Sequence, residues 1–451
     1  FKLNGSTRSY SPAPNGTDFS GSTIWKYRPT AEIKTFGIVR HSALGIEPSD
    51  PSASGGYAAD FRNSLYQAGW KDLFGAVATS VSASYAQTHR SEEFGPFNLG
   101  DTERSTQLFA QGSWIAAAAL TLRAGGDAEW RSAGFLGRVP SAGVTTFDSR
   151  TAGSRNGLFA ESDMRPLADL RLVTGIRSDR STFTGVRTLD PRVSAALRVG
   201  TSATITSAWG IYHQVSDPLY FDSALGRPGL PPMSARQAVM GAQVGENRQI
   251  ARVEIYEKRY GDLAQLTMDR FVVGGGTGRS RGADVFLKGT IAGVIGGRLS
   301  YSYVDSRRRD PGTGLQARAP FDVTHSLTLV VDKSFGVGWS ASGALRYATG
   351  KPYTPVSGAT FDQSRNVWVP TYAAPFSQRL PPLQRIDLSL SRFMRLSPQT
   401  FLVLFASVNN LFDKVNVYDY RYSPDYAKRI PIRSLFNRSF YVGGSISYTA
   451  H

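Results

Sequence analysis

Hydrophobic and polar residues alternate with a period of two along much of the chain. Between residues 120 and 130, leucines, alanines and a tryptophan alternate with Thr121, Arg123, Asp127 and Glu129, and the pattern recurs at 192–199, 385–391 and 439–448. Successive side chains of a strand point to opposite faces, so the pattern predicts strands with one apolar and one polar face. The polar faces carry full charges, which a water-filled barrel accepts and a sandwich core does not.

The connections between the predicted strands distinguish a barrel from a soluble sandwich. A sandwich with its apolar face inward would have connections of similar length at both ends. Here tight turns alternate with connections of roughly 10 to 35 residues, which is the asymmetry of an outer-membrane barrel. The tight turns are predicted at Pro29-Thr30, Trp70-Lys71-Asp72, Gly200-Thr201 and Gly245-Glu246-Asn247.

The expected fold is therefore all-β, a transmembrane antiparallel up-and-down barrel with about 20 strands. Trp339 beside a short turn and Tyr347 at the far end of the same face fit the two aromatic girdles of such barrels. Strands are predicted near 22–29, 32–41, 58–69, 73–89, 104–113, 116–131, 155–164, 168–178, 190–199, 202–213, 234–244, 248–260, 277–288, 294–305, 322–332, 337–349, 384–393, 400–411 and 436–450, with Phe1 to about Tyr10 as one more.

Composition removes several other classes of function. The chain has no cysteine, which excludes disulfides and thiolate metal or redox sites, and it has no run of about 18 apolar residues that a spanning helix needs. Its net charge of +16 comes from 51 Lys and Arg scattered along the sequence, so nucleic-acid binding is not favoured. The excess fits a solvated rim, contact with lipopolysaccharide phosphates, or a lumen for an anionic ligand.

Sequence motifs for catalysis are weak, and we expect no enzyme, metal or cofactor. The segment Gly278–Gly282 has the spacing of a hydrolase nucleophile elbow around Ser280, but an alternating strand follows it where a helix is required. The five histidines are far apart and form no helical metal motif.

Two groups of residues are candidates for substrate binding. The last long loop carries aromatic and charged side chains suited to stacking and hydrogen bonding, or to packing of the loop itself. A strand near 248–260 has a second group on its predicted lumen face, which could pair internally, with a plug or with substrate. The first group is Tyr418, Tyr420, Arg421, Tyr422 and Tyr426; the second is Arg252, Glu254, Tyr256 and Lys258.

The order of several motifs over residues 190–450 resembles TonB-dependent outer-membrane receptors. The motif with the strongest resemblance is Val408–Lys414, with the sequence VNNLFDK, followed by Arg438–Gly443 in the closing strand. The others are Asp190-Pro191-Arg192, Trp209–Tyr212, Arg318–Asp322 with His325, Arg346–Tyr353, and Arg379–Pro382 leading into Arg385-Ile386-Asp387.

The resemblance implies a 22-stranded barrel in a Gram-negative outer membrane, surrounded by lipid and lipopolysaccharide. It also implies a plug domain and an energy-transducing partner of the TonB type. On this basis residues 1–451 are expected to be the barrel domain, with the plug and two strands upstream of Phe1. The expected function is energised uptake of a scarce solute: an iron chelate, cobalamin, oligosaccharide or peptide. The alternative is a barrel without a plug that serves as a surface adhesin or as a scaffold in an envelope assembly.

Overall fold

A computed structural model of the chain is built almost entirely from antiparallel strands. It describes residues 13–47, 56–94, 97–140, 144–221, 229–266, 272–291, 294–310, 314–364, 366–433 and 437–449. The strands are β1 Asn15–Arg28, β2 Ala31–Ile46, β3 Tyr57–Phe74, β4 Val77–Phe94, β5 Phe97–Ala117, β6 Leu120–Pro140, β7 Val144–Leu167, β8 Leu170–Ser181, β9 Arg187–Val199, β10 Ala203–Gln214, β11 Met233–Val244, β12 Ile250–Leu266, β13 Val272–Ile291, β14 Ile295–Arg309, β15 Gln316–Arg318, β16 His325–Phe335, β17 Trp339–Ala348, β18 Pro352–Tyr353, β19 Val356–Asp362, β20 Val367–Tyr372, β21 Gln378–Arg379, β22 Leu383–Arg395, β23 Thr400–Asn409, β24 Val417–Tyr422, β25 Arg429–Arg433 and β26 Ser439–Tyr448, with a short 3-10 helix at Pro218–Phe221.

One sheet of 20 strands forms the barrel wall within the described residues. Each long strand pairs antiparallel with the long strands before and after it in the chain, from β1 through to β26, and the three-residue β15 pairs with β14. Three small two-stranded sheets, β18–β21, β19–β20 and β24–β25, lie in the connections at one end. The described residues include no helix that is long and apolar enough to cross a membrane.

The predicted strands from residue 22 onward each coincide with one long observed strand, so the predicted up-and-down order is confirmed. The predicted strand at Phe1 to Tyr10 lies outside the described residues. One predicted turn was wrong: Trp70-Lys71-Asp72 lies inside β3, and the chain turns at Gly75-Ala76, where Gly75 has a φ of 60°. A left-handed φ is accessible to glycine without steric strain, which explains the position of this turn.

The predicted asymmetry between the two ends is present, but some of the connections predicted as loops are strands. We call the two ends the short-turn end and the loop end. The long connections after β10, β14, β17 and β23 all lie at the loop end, opposite turns such as 200–202 and 336–338. The predicted loops near 90–103 and 132–154 are instead mostly strand, because β4 to β7 extend almost to the hairpin tips.

The barrel has its apolar surface on the outside and few buried apolar residues. On β6, Leu122, Trp130 and Leu136 are exposed on one face, while Arg123 and Asp127 point to the other. The same parity holds across the sheet, and the exposed valine, isoleucine and phenylalanine side chains of β26 share the face of their neighbours on β23. We call these two faces the outer face and the lumen face.

Candidate functional site

Four predicted site residues share the lumen face of β12. Arg252, Glu254, Tyr256 and Lys258 alternate with a valine and an isoleucine that are exposed on the outer face. The structure therefore places all four along one line of the inner wall.

Their side chains pack loosely against the same wall. The Lys258 ammonium lies 5.4 Å from the Tyr256 ring centre, and the Arg252 guanidinium lies 5.6 Å from that of Phe286. Tyr256 lies across Gly282 on β13, where any Cβ atom would overlap its hydroxyl. No ion pair recorded among the described residues includes Arg252, Glu254 or Lys258, so their charges remain available to a partner in the lumen.

The second predicted group lies on a β-hairpin at the loop end. Tyr418, Tyr420, Arg421 and Tyr422 belong to β24, and Tyr426 lies in the turn before β25 with a φ of 59°. The Tyr422 and Tyr426 ring centres are 6.0 Å apart. The structure thus brings all five residues together on one hairpin, but no described hydrogen bond or ion pair joins them to the β12 group.

Two of these tyrosines fasten the hairpin to the neighbouring loop. The Tyr420 ring centre is 5.2 Å from that of Tyr353, and the Arg429 guanidinium lies 4.3 Å over Tyr420 while it donates a 2.6 Å hydrogen bond to the Tyr353 hydroxyl. The Tyr422 hydroxyl accepts a 3.3 Å hydrogen bond from the Val356 amide. Tyr420 and Tyr422 therefore stabilise the loop itself.

The remaining part of the hairpin is open to a ligand. Tyr418 is 67% exposed, and the Lys351 ammonium lies 4.6 Å from its ring centre and 3.5 Å from the Asp419 carboxylate. Arg421 is exposed. Of the five predicted residues, Tyr418 and Arg421 are the exposed ones, so a solute could contact these two first.

A cavity of about 280 Å³ in the inner wall was not predicted from the sequence. It lies where the connection between β8 and β9 folds over β7, with the Phe183 ring on Gly153 and 5.4 Å from the Phe221 ring. A Cβ atom at residue 153 would be 2.7 Å from that ring, so glycine is what permits the fold-over. Its polar lining is Glu129, Arg131, Arg155, Arg177, Asp179, Ser181, Thr184, Thr188, Asp190, Arg192, His213, Gln214 and Ser216.

Two arginines of this cavity, Arg155 and Arg177, belong to a lumen ion-pair network on β6, β7 and β8. The Arg155 guanidinium lies 3.0 Å from Asp127, 3.4 Å from Glu129 and 2.8 Å from Asp179. The Arg177 guanidinium lies 2.7 Å from both Asp127 and Asp179. The wall is therefore strongly polar, but its charges compensate one another.

Further hydrogen-bonding groups line the cavity. The buried Asp190 carboxylate accepts a hydrogen bond from the His213 amide at 3.1 Å and lies 2.5 Å from His213 Nδ1. The hydroxyls of Thr188 and Ser216 are buried without a partner among the described residues. Buried polar groups normally have partners, so a polar solute or ordered water fits this cavity.

Sequence reasoning missed the cavity because its lining comes from five strands. The available signal was the dense alternation of charges at Asp127, Glu129 and Arg131, facing Arg155 on the next strand and Arg177 on the one after. That signal predicts paired charges. It does not predict that the connection between β8 and β9 folds over β7 and encloses the cavity.

The motifs that resemble the receptor family form hydrogen-bonded latches at the loop end. Asp322 is fully buried; it accepts hydrogen bonds from Arg379 at 3.1 Å and from the Thr324 hydroxyl at 3.0 Å, and it lies 3.2 Å from Arg318. Burial acts to raise the pKa of Asp322, but hydrogen bonds from Arg379, the Ser306 amide and Thr324 lower it below its usual value. We call Asp322 and its partners the rim latch.

A second set of motif residues ties the ends of β22 and β23 together. The Asn410 amide donates a 2.8 Å hydrogen bond to Asp387, and the Asn410 side chain exchanges two 3.0 Å hydrogen bonds with the backbone of Lys414. Asn410 has a φ of 52°, in the left-handed region that asparagine tolerates. These motif residues therefore stabilise the rim.

The described residues contain no group of three or more His, Cys, Asp or Glu side chains that could hold a metal ion. Ser280 lies on β13, where its hydroxyl is 2.6 Å from that of Ser306. It is therefore on a strand, without the strand-turn-helix context of a nucleophile elbow.

The sequence profile of the family described as TonB dependent receptor-like, beta-barrel matches residues 2–411 of the chain. No curated protein sequence matches significantly. The family match bears out the expectation of an outer-membrane receptor barrel and not an enzyme.

Several solved structures share the fold of this chain. The ferripyoverdine receptor of the outer membrane of Pseudomonas aeruginosa is 12% identical with a TM-score of 0.70, over 96% of this chain and 65% of that one. The ferric citrate transporter FecA is 13% identical with a TM-score of 0.73, over 96% and 70% of the two chains. The copper transporter OprC is 13% identical with a TM-score of 0.71, over 96% and 72%. The chain thus spans about two thirds of the length of the ferripyoverdine receptor.

Proposed function

The chain belongs to the TonB dependent receptor-like β-barrel family, and from this we propose that it is the barrel of an energised transporter that imports a scarce solute. The observation that carries the proposal is the lumen face, which is lined with charged and hydroxyl side chains and includes the wall cavity. A water-filled polar lumen gives a hydrophilic solute a path with little loss of hydration.

Iron chelates are the first class of solute to test, before cobalamin, oligosaccharides and peptides. Two of the similar structures are named for ferric ligands. On this chain, Tyr418 and Arg421 offer an exposed aromatic ring and a guanidinium at the loop end, suited to stacking on and pairing with an anionic chelate.

We further propose that a plug domain occupies the lumen, whether it belongs to the same polypeptide or to another chain. The charges of Arg252, Glu254 and Lys258 on β12, which form no recorded ion pair within the described part of the chain, support this, because opposite charges on a plug would compensate them. A TonB-type protein would then act on the plug, and the barrel would serve as its fixed frame.

Solute uptake in a deletion strain tests the proposal. Cells lacking the gene would be compared with complemented cells for uptake of labelled ferric chelates, cobalamin, oligosaccharides and peptides, with and without a functional TonB-type protein. We expect uptake of one class to disappear with either gene. A Tyr418→Ala and Arg421→Ala double variant should reduce that uptake, with Arg62→Gln on the outer face as the control.

The alternative function makes a different forecast in the same strains. A surface adhesin or an envelope scaffold would leave uptake of every solute unchanged. Deletion would instead alter adhesion or sensitivity to detergent and large antibiotics. That pattern would overturn the proposed transport function.

A further inference from the structure

Five arginines form one row across five neighbouring strands of the outer face. The strand register places each directly opposite the next, so the row crosses the sheet at right angles to the strands. Neighbouring strands are about 4.8 Å apart, so the row is about 19 Å long. It consists of Arg236 on β11, Arg259 on β12, Arg279 on β13, Arg307 on β14 and Arg318 on β15.

The row lies where the apolar band of the outer face ends toward the loop end. On the same faces, closer to the short-turn end, Met240, Ile255 and Leu287 are exposed. Tyr303 lies four positions before Arg307 on the outer face of β14, and its ring centre is 5.4 Å from that of His325. Aromatic side chains of this kind mark the boundary between hydrocarbon and headgroups.

Acidic partners only partly compensate the row. Glu257 is shared between Arg259 at 2.5 Å and Arg279 at 2.7 Å. Asp305 is shared between Arg307 at 3.3 Å and Arg318 at 3.8 Å, and Arg318 also contacts Asp322 of the rim latch.

A sixth arginine adds to the excess. Arg281 lies on the same face, one step toward the membrane, opposite both Glu257 and Asp305. Both Arg281 and Arg236 are exposed, and no ion pair is recorded for either among the described residues. The Arg279 Nε atom is shielded from solvent and has no acceptor there. These six guanidinium groups thus have two carboxylates beside them on this face, Glu257 and Asp305, and Arg318 alone reaches a third, Asp322.

We propose that this arginine row binds the phosphate groups of lipopolysaccharide in the outer leaflet. Like charges opposite one another in a sheet repel, so an anion that bridges neighbouring strands would relieve the repulsion. Guanidinium groups pair with phosphate through two parallel hydrogen bonds. The apolar band below the row offers a surface for acyl chains, which a free phosphate ion would not use.

Retention of lipopolysaccharide by the purified protein tests the inference. The protein would be extracted from outer membranes, exchanged into detergent and titrated with lipopolysaccharide, with native mass spectrometry as the readout. The row variant carries Arg236→Gln, Arg259→Gln, Arg279→Gln and Arg307→Gln. We expect its affinity to fall by about tenfold or more, since each basic residue near an anionic surface contributes to binding. Inorganic phosphate should not compete at similar concentrations.

The matched control removes four outer-face arginines that do not form a row. Arg62→Gln, Arg150→Gln, Arg180→Gln and Arg392→Gln lie on β3, β7, β8 and β22, and this variant should bind like the unaltered protein. Equal losses in both variants would contradict the inference.

A second measurement needs no variant, in case the row variant fails to fold. The unaltered protein should bind dephosphorylated lipopolysaccharide about tenfold more weakly than the phosphorylated form. Equal binding of the two forms would overturn the inference. Free phosphate that competes as well as the lipid would identify an anion site without lipid specificity, and would also overturn it.

Discussion

Arginine has opposite surroundings on the two faces of this barrel. Among the ion pairs within the lumen face of β6 to β8, four arginines lie among five carboxylates. On the outer face of β11 to β15, six of the arginines lie beside two carboxylates of that face, Glu257 and Asp305. The inner set is Arg123, Arg155, Arg171 and Arg177 with Asp127, Glu129, Glu161, Asp163 and Asp179. These arginines are therefore compensated on the inner wall and in excess on the outer face near the loop end.

Three carboxylates can be compared by their solvent exposure, because each of them lies between two arginines. Asp322 in the rim latch is 0% exposed, Asp179 on the lumen face is 17% exposed, and Glu257 beside the arginine row is 31% exposed. The attraction within an ion pair is stronger where less solvent surrounds it, and breaking a buried pair leaves the remaining charge buried without a partner. The loss of stability on neutralising each carboxylate should therefore be largest for Asp322, intermediate for Asp179 and smallest for Glu257.

Neutralising Asp322 should have the largest effect on stability. Asp322→Asn would leave the partly buried Arg379 without its carboxylate, and the free energy of unfolding should fall by about 3 kcal/mol. The measurement is the urea dependence of barrel unfolding, followed by the shift between folded and unfolded bands on a gel. Asp148→Asn, which removes an exposed carboxylate 3.4 Å from Arg150, is the control and should change nothing measurable. If both variants lost the same free energy of unfolding, burial of the carboxylate would not explain the expected order of the effects.

The rim latch should also give the barrel a specific sensitivity to acid. The pKa of Asp322 is lowered in the folded protein, so its contribution is present above the unfolded pKa of about 3.9 and is lost as the pH falls through the lower folded value. Stability of the unaltered protein should stay level down to about pH 4 and then fall more steeply than that of Asp322→Asn. Parallel curves for the two proteins between pH 5 and about pH 3 would contradict the assignment.

Neutralising Asp179 should have an intermediate effect. Asp179→Asn removes the shared partner of Arg155 and Arg177, but Asp127 still lies within 3.0 Å of both guanidinium groups. We therefore expect a loss of about 1–2 kcal/mol in the same unfolding assay. Glu254→Gln, on the lumen face of β12 without a recorded ion pair, is the matched control. If Glu254→Gln proved as harmful as Asp179→Asn, pairing within the wall would not explain the difference.

The series also shows what the sequence alone can predict. Period-two alternation located the long strands. Motif residues such as Asp322 and Asn410, which carried the resemblance to the family, form hydrogen-bonded latches at the rim of this barrel. The five candidate residues of the last long loop lie on one hairpin, and their role in substrate binding stays a prediction. The role of Tyr420 and Tyr422 in loop packing depends on contacts with Tyr353 and Val356 across about 65 residues of chain.

The arginine row could not be predicted because its members are 11 to 28 residues apart in the chain. In the sequence, each of these arginines alone looks like an ordinary solvated charge. A shift of one residue in the register of any strand would point its arginine into the lumen. The row therefore depends on which residues lie opposite one another in neighbouring strands, and the alternation pattern does not determine that register.

Neutralising Glu257 should have the smallest effect on stability and the opposite effect on lipid binding. Glu257→Gln frees Arg259 and Arg279 from their shared partner, so unfolding in detergent should not change measurably, while affinity for lipopolysaccharide should rise by roughly threefold. The gain should shrink at high salt, because exposed charges are screened there. Asp60→Asn, which frees Arg62 on the outer face of β3, is the control and should leave lipid affinity unchanged. A lower affinity in Glu257→Gln would mean that the carboxylate itself takes part in binding, through a bridging cation. The contrast between a compensated inner wall and a partly compensated outer row would then fail.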